Sequence, residues 1–282
     1  MHITTLMPYA VVGLFGLAFG SFLNVCIFRL PRHESVITPR SRCPRCSQPI
    51  RWHDNIPVLS FLVLRGKCRN CRGPISPIYP VVELLAAGVL LLAFFQYGLS
   101  PAFIKHTVFG LLLLILIFTD LRERRIPHVV TLLGISLGLL LSFIVPVDPR
   151  PLDWIFRRLG FFWDFPLLSL AAAFAGAAVG GGLFYGVAEI FYRLTGKEGL
   201  GFGDVMLMLM VGTFLGVPLA LLTILVGSLL GTAVALPFEL LSSRFRHHPW
   251  PYGSFLGAAA LYASLGGNAL LDAYLRWSGL AV

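Results

Sequence analysis

The chain has 282 residues, of which 57% are apolar and only 12% charged, and its mean hydropathy is +0.82. A water-soluble domain carries about 25% charged residues, so a large part of this chain avoids water. The formal charge of +9 is not a nucleic-acid signature, because ten of the 22 Lys and Arg lie between Arg29 and Arg72, against only Glu34 and Asp54, and a basic patch explains none of the apolar bulk. No nucleic acid is expected as a partner; the lipid bilayer is.

Crossing about 30 Å of hydrocarbon takes about 20 mostly apolar residues. Eight segments qualify in chain order: 8–28, 79–98, 102–120, 128–146, 166–191, 204–217, 219–240 and 254–275, the sixth being short enough for a partial span. The fold class expected is therefore an all-α polytopic membrane protein of about eight transmembrane helices. Met1 to Met7 carry no Lys or Arg and no small-residue cleavage site follows, so the first segment reads as a retained span. Pro31, Pro101, Pro127, Pro149, Pro151 and Pro218 mark breaks. No internal repeat is read along the chain. The domains expected are 1–28, a first transmembrane helix; 29–78, a small loop domain; and 79–282, a transmembrane core.

Orientation follows from the basic loops. With 29–78 in the cytoplasm, alternation also puts inside the loop 121–127 with Arg122, Arg124 and Arg125, the loop 193–203, and the loop 242–252 with Arg244 and Arg246. The segment 147–165, with three Arg and three Asp, falls outside. Glu83, Asp120, Glu189, Asp204 and Glu239 sit in or at the ends of spans near the inner face. An ionised carboxylate in lipid is costly, so such residues mark function or a buried partner.

The loop holds Cys43-Pro-Arg-Cys46 and Cys68-Arg-Asn-Cys71, two C-x2-C pairs with 21 residues between them. Each pair turns two thiolates onto one ion, and two pairs complete a closed tetrahedral zinc site with a structural role. A polar loop has little core, and metal binding can supply its folding free energy. Cytoplasmic placement argues against disulfides. Cys26, within the first span, reads as a small buried apolar residue.

Asp120 closes the third span and begins Asp-Leu-Arg-Glu-Arg-Arg-Ile-Pro, ending at Pro127; Asp204 opens the sixth after Gly199, Gly201 and Gly203. Two carboxyls brought close share a proton. The ionised one takes a proton from water while the other donates to a carbonyl, the division of labour of aspartic proteases. The glycines allow a substrate strand to approach. A dinucleotide loop would need a βαβ unit, which is missing. The plain alternatives are an acid paired with Arg122 or Arg124 for Asp120, and a helix-dipole partner for Asp204. The two are 84 positions apart, and the residues alone do not choose between them and Glu83, Glu189 or Glu239.

The choice comes from a resemblance over nearly the whole chain. The segments from Gly16 to Pro31, Asn55 to Ser60, Leu64 to Cys68 and Tyr79 to Glu83, the pair Ile75-Ser76, the four loop cysteines, Asp120 with Ile126-Pro127, and Gly201-Phe-Gly-Asp204 resemble the prepilin peptidases. These are also called type IV leader peptidases and belong to the GxGD membrane aspartic proteases. The resemblance implies that Asp120 and Asp204 are the catalytic pair. The enzyme would cut the basic leader from type IV prepilins or secretion pseudopilins at the cytoplasmic face of a bacterial inner membrane. It would then methylate the new N-terminus with S-adenosylmethionine. It implies that the cysteine loop belongs to the methyltransferase part, with Gly20, Asn24 and Glu83 as candidate cofactor-binding residues; helix packing or a buried hydrogen bond is their plain alternative. The chain departs from the family pattern at Met206, where Lys is common, at His128, where Asn is common, and at Pro251-Tyr-Gly-Ser254, where the motif commonly ends in Pro. The rival readings are an ion-coupled transporter using intramembrane carboxylates and a zinc-loop scaffold without chemistry.

Overall fold

A computed structural model describes residues 3–160, 164–197, 199–241 and 250–279. Nine helices run through them: α1 (Ile3–Arg29), α2 (Leu59–Val63), α3 (Ile78–Tyr97), α4 (Pro101–Glu123), α5 (His128–Ser142), α6 (Arg150–Arg158), α7 (Phe165–Thr195), α8 (Phe202–Leu241) and α9 (Tyr252–Trp277). Among the described residues there is no strand, only two isolated β-bridges. Among the described residues, six helices are long and apolar enough to cross a membrane: α1, α3, α4, α7, α8 and α9.

All eight apolar segments are helical, with two differences in extent. The segments 204–217 and 219–240 lie on α8, which is two helices joined at Gly216, where φ 74° and ψ −177° leave the helical region. The break therefore falls on the glycine, two residues before Pro218, because only glycine takes that backbone shape without strain. The segment 128–146 shortens to the 15 residues of α5. The stretch 147–165, read as a loop, contains α6, whose Asp153 pairs with Arg157 at 2.9 Å and whose Arg158 lies 4.7 Å over the Trp154 ring. Of the loop 242–252, the part carrying Arg244 and Arg246 lies outside the described residues.

The chain divides into two compact units, 1–115 and 116–282, with the last turns of α4 in the second. In the first unit α1 and α3 pack backbone to backbone. A β-carbon at Gly16 would lie 2.5 Å from Ala87 Cα, and one at Gly20 would lie 2.5 Å from Glu83 Cα. Small residues let helices approach closely where lipid supplies no hydrophobic drive. Cys26 is buried on the same helix, as expected.

In the second unit α7 and α8 meet along a glycine seam. A β-carbon on Gly176 would strike the Gly212 carbonyl and fall 2.7 Å from Gly216 Cα. Gly138 of α5 faces Thr213 and Phe214 in the same way. These contacts fix the first half of α8, the segment that carries Asp204.

The loop of the first unit shows a repeat that the sequence reading missed. Residues 40–50 and 65–75 superpose in pattern at an offset of 25: both read Arg-x-(Arg/Lys)-Cys-x-x-Cys-x-x-Pro-Ile. The backbone follows. Cys43 N–H donates to Gln48 O at 2.9 Å and Cys68 N–H to Gly73 O at 2.8 Å, while Ser47 N–H reaches Cys43 O and Arg72 N–H reaches Cys68 O. Ser47 and Arg72 both adopt a positive φ, 57° and 56°. Each copy closes on a β-bridge, Arg42 with Pro49 and Lys67 with Pro74.

Candidate active site

The four loop thiols converge as the spacing predicts. The sulfurs of Cys43, Cys46, Cys68 and Cys71 all lie within 4.8 Å of one another, and Cys43 Sγ to Cys71 Sγ is 3.9 Å. A tetrahedral zinc ion with Zn–S bonds of about 2.3 Å has edges of about 3.8 Å, so the cluster has the size to hold a metal ion. Its chemistry agrees. Burial works against ionising Cys43, but the backbone N–H groups of Cys46 and Arg45 and the thiols of Cys68 and Cys46 outweigh it and bring that thiol down to about 7. At Cys46 a Gln48 N–H favours the thiolate, yet burial and the Cys43 and Cys71 thiols push it up to about 11. The first proton thus leaves readily and the next is held by like charge, until a cation draws both off. Beside the cluster, Arg69 clasps Asp54 through Nε and Nη2, the shortest contact being 2.6 Å. This guanidinium holds the Asp54 carboxyl below the usual range.

Gly20, Asn24 and Glu83 lie together on the α1–α3 seam, each with a protein neighbour. Gly20 faces the Glu83 backbone. Asn24 Nδ2 donates to Tyr79 O at 3.0 Å. Glu83 Oε2 accepts the Val58 N–H at 2.8 Å. Val58 is the centre of a γ-turn, with φ 60°, ψ −49° and Leu59 N–H donating to Pro57 O at 2.6 Å, a strained shape for a β-branched residue. A cavity of about 490 Å³ nearby is lined by Val25, Arg29, Ile37, Arg40 and Trp52 among others, and by none of these three.

In the second unit the two aspartates meet. Asp120 lies in the last turn of α4 and is buried. Asp204 lies in the first turn of α8, where its N–H donates to Gly201 O at 3.0 Å. Gly253, at the start of α9, marks their meeting point: a β-carbon there would lie 3.0 Å from Asp204 Oδ1 and 3.1 Å from Asp120 Oδ2. The two oxygens are thus separated by no more than the sum of those distances, close enough to share one water.

The same point would lie 2.7 Å from Ile126 Cδ1, and a β-carbon at Gly203 would lie 2.9 Å from Ile126 Cβ. Ile126, of the Ile-Pro step after Asp120, therefore packs over the pair, and the glycines on either side make room for it. His128 rests on Phe202 with ring centroids 5.7 Å apart, and Met206 is buried. Of the competing acids, Glu189 pairs with Arg193 at 2.7 Å, exposed on α7, and Glu83 belongs to the first unit. The Glu239 side chain lies outside the described residues.

One participant was missed in the sequence. Ser254 donates its N–H to Asp120 Oδ2 at 2.7 Å, and its hydroxyl lies 2.9 Å from the same oxygen and 3.0 Å from Ile117 O. The available signal was the departure from proline at this position, since proline has neither donor.

Known proteins resemble this chain over most of its length. The family model described as the bacterial peptidase A24 N-terminal domain matches residues 14–97. The model described as the type IV leader peptidase family matches residues 107–236, a stretch that contains both aspartates. The curated relatives include three proteins named prepilin leader peptidase/N-methyltransferase. The one from Myxococcus xanthus is 38% identical over 74% of this chain, which spans only 57% of that relative's length. The Aeromonas hydrophila protein is 34% identical over 95% of this chain and 93% of its own. The Bacillus subtilis protein is 30% identical over 95% and 98% respectively. No solved structure matches the chain.

Proposed function

The chain belongs to the type IV leader peptidase family, and on that premise we propose that it removes the basic leader of type IV prepilins or pseudopilins by aspartic hydrolysis and methylates the new N-terminus. The observation that carries the cleavage reading is the convergence of Asp120 and Asp204 beside Gly253. One carboxylate draws a proton from water. The water oxygen adds to the scissile carbonyl carbon while the other carboxyl protonates the carbonyl oxygen. The C–N bond then breaks and the departing amine takes a proton.

The substrate is matched by position. A pilin leader is basic and is followed by an apolar helix, so the helix lies in lipid and the scissile bond at the boundary. The basic loops support a cytoplasmic face for the pair and for the 29–78 loop in an inner membrane. The convergence of the acids at one point, on a chain of this family, favours a peptidase over a transporter.

The methyl step is assigned to the 29–78 loop domain, where the four cysteines hold structural zinc, and 79–282 carries the peptidase core. S-adenosylmethionine supplies the methyl group from its sulfonium when bound. Gly20, Asn24 and Glu83 form the footing of that site: Gly20 lets α1 and α3 touch, Asn24 ties α1 to Tyr79, and Glu83 holds the Val58 turn.

The test is leader cleavage by purified protein in detergent. Asp120→Asn and Asp204→Asn should each reduce the rate by at least about 10³-fold while the protein stays monodisperse. Full cleavage by either variant removes the reading.

A further inference from the structure

We propose that Ser254 is the positioning residue of the aspartate pair, anchoring Asp120 so that its carboxylate meets Asp204 at a fixed separation; this rests on the peptidase reading above. Three contacts carry it. The Ser254 N–H gives Asp120 Oδ2 a short 2.7 Å hydrogen bond, so that oxygen is an acceptor. The hydroxyl reaches the same oxygen at 2.9 Å. It also reaches Ile117 O at 3.0 Å, one turn before Asp120 on α4. A hydroxyl has one proton, so it serves the carboxylate or the carbonyl while its other contact constrains direction. The effect is a clamp: the start of α9 is tied to both the backbone and the carboxylate of the last turns of α4.

The clamp is itself held. Tyr252 OH lies 2.8 Å from the Ser228 hydroxyl of α8, and its ring stacks on Phe184 of α7 with centroids 6.1 Å apart. Ser254 is 5% exposed, so water does not compete for its donors. The N–H belongs to the first turn of α9, where helix donors lack partners within the helix, and it also leans on Pro251 O at 3.2 Å. Asp120 thus satisfies a donor that the helix leaves open, and gains a fixed rotamer in return. Preorganisation of this kind acts on the turnover step, because a carboxylate free to swing must be brought back into line each time. Leader binding does not depend on it.

Residue 254 is therefore expected to move kcat and leave KM alone. The experiment uses the full-length protein in detergent with a synthetic prepilin peptide comprising leader and apolar helix. Ser254→Ala keeps the N–H and loses the hydroxyl; kcat should fall about 10- to 100-fold, with KM unchanged. Ser254→Thr keeps the hydroxyl and should stay within about fivefold of the parent kcat. Thermal melting and monodispersity separate these effects from unfolding, and the Ala and Thr pair decides. An Ala variant with the parent kcat, or a Thr variant as slow as Ala, overturns the positioning role. Cleavage by the parent and its loss in Asp120→Asn report on the peptidase reading separately, so either claim can fail alone.

Discussion

Gly253→Ala should separate catalysis from stability. The added methyl would sit 3.0 Å from Asp204 Oδ1, 3.1 Å from Asp120 Oδ2 and 2.7 Å from Ile126 Cδ1. Ordinary contacts between carbons begin at about 3.5 Å, so all three neighbours are crowded. The Ile126 methyl is the end of a flexible side chain and can swing away. The carboxylates cannot both move, because Asp120 Oδ2 is held by Ser254. The methyl would also stand where the two carboxylates converge and where a shared water would sit. Overpacking of this size costs about 1–3 kcal/mol, and the flexible Ile126 favours the low end. Displacing a catalytic group by a fraction of an ångström up to about 1 Å can cost about 10²-fold in rate. The expected result is a modest fall in melting temperature with at least a hundredfold fall in initial cleavage rate. Gly257→Ala is the control. It lies one turn further along α9, and its β-carbon would fall 2.6 Å from Ile117 Cγ1 and near neither aspartate. It should lose comparable stability and keep most of its activity. If Gly253→Ala keeps more than a fifth of the parent rate, or loses rate only in step with its folded fraction, the assignment of this gap to the reaction is wrong.

Removing the metal tests the loop. Cys43→Ser should eliminate one equivalent of bound zinc by elemental analysis and stop N-methylation of a processed pilin, read by mass spectrometry, while leader cleavage continues at more than half the parent rate; equal loss of both activities would count against separate roles. Asp54 gives a pH dependence. Its folded pKa is lowered by Arg69, so the stability it lends is complete above the ordinary aspartate value of about 3.9 and is lost as pH falls through the lower folded value. Hydrogen-exchange protection across 67–73 should therefore be weaker in Asp54→Asn than in the parent at neutral pH, and the two should converge in strong acid; a constant gap at all pH values would show that the pair does not act through its charge.

The spans were legible because burial in lipid requires a long apolar run, and such runs survive any detail of packing. Their ends were less so. Gly216 splits α8, where Pro218 was the marked break, because a proline can be accommodated near the start of a helix, whereas a φ of 74° needs glycine. The helix α6 was hidden by its own charges: Asp153, Arg157 and Arg158 read as a loop until their spacing is placed on a helix, where Asp153 and Arg157 are neighbours. The cysteine pairs were legible as ligands but not as a repeat, since the copies share the leading Arg, a basic residue before the first Cys, the cysteines and the Pro-Ile step, while the residues between these differ. The aspartates were legible as candidates only. Nothing in the 83 positions between them encodes the meeting, which depends on α9 arriving with Gly253 from still further along the chain. Ser254 showed only as a departure from proline, its partner unreadable for the same reason, whereas Glu189 and Arg193 stand at the i,i+4 spacing of an ion pair on one helix.

The placement of these parts bears on how the two proposed activities relate. The neighbours found around the carboxylates of Asp120 and Asp204, namely Gly201, Ile126, Gly253 and Ser254, all follow Leu116. The glycine seam that fixes α8 follows it too. The cysteine repeats, the Val58 turn, Asn24 and Glu83 all precede Ile115. A pair of acids needs only rigid helix ends and excluded bulk to share a proton, and the last turn of α4 with the starts of α8 and α9 offers both. A polar loop of little core instead needs a metal and a buried acceptor such as Glu83 to hold its turns. The two sets of residues therefore answer to different physical demands, packing in one and ligation in the other. That is why substitutions in one set should leave the other's chemistry standing.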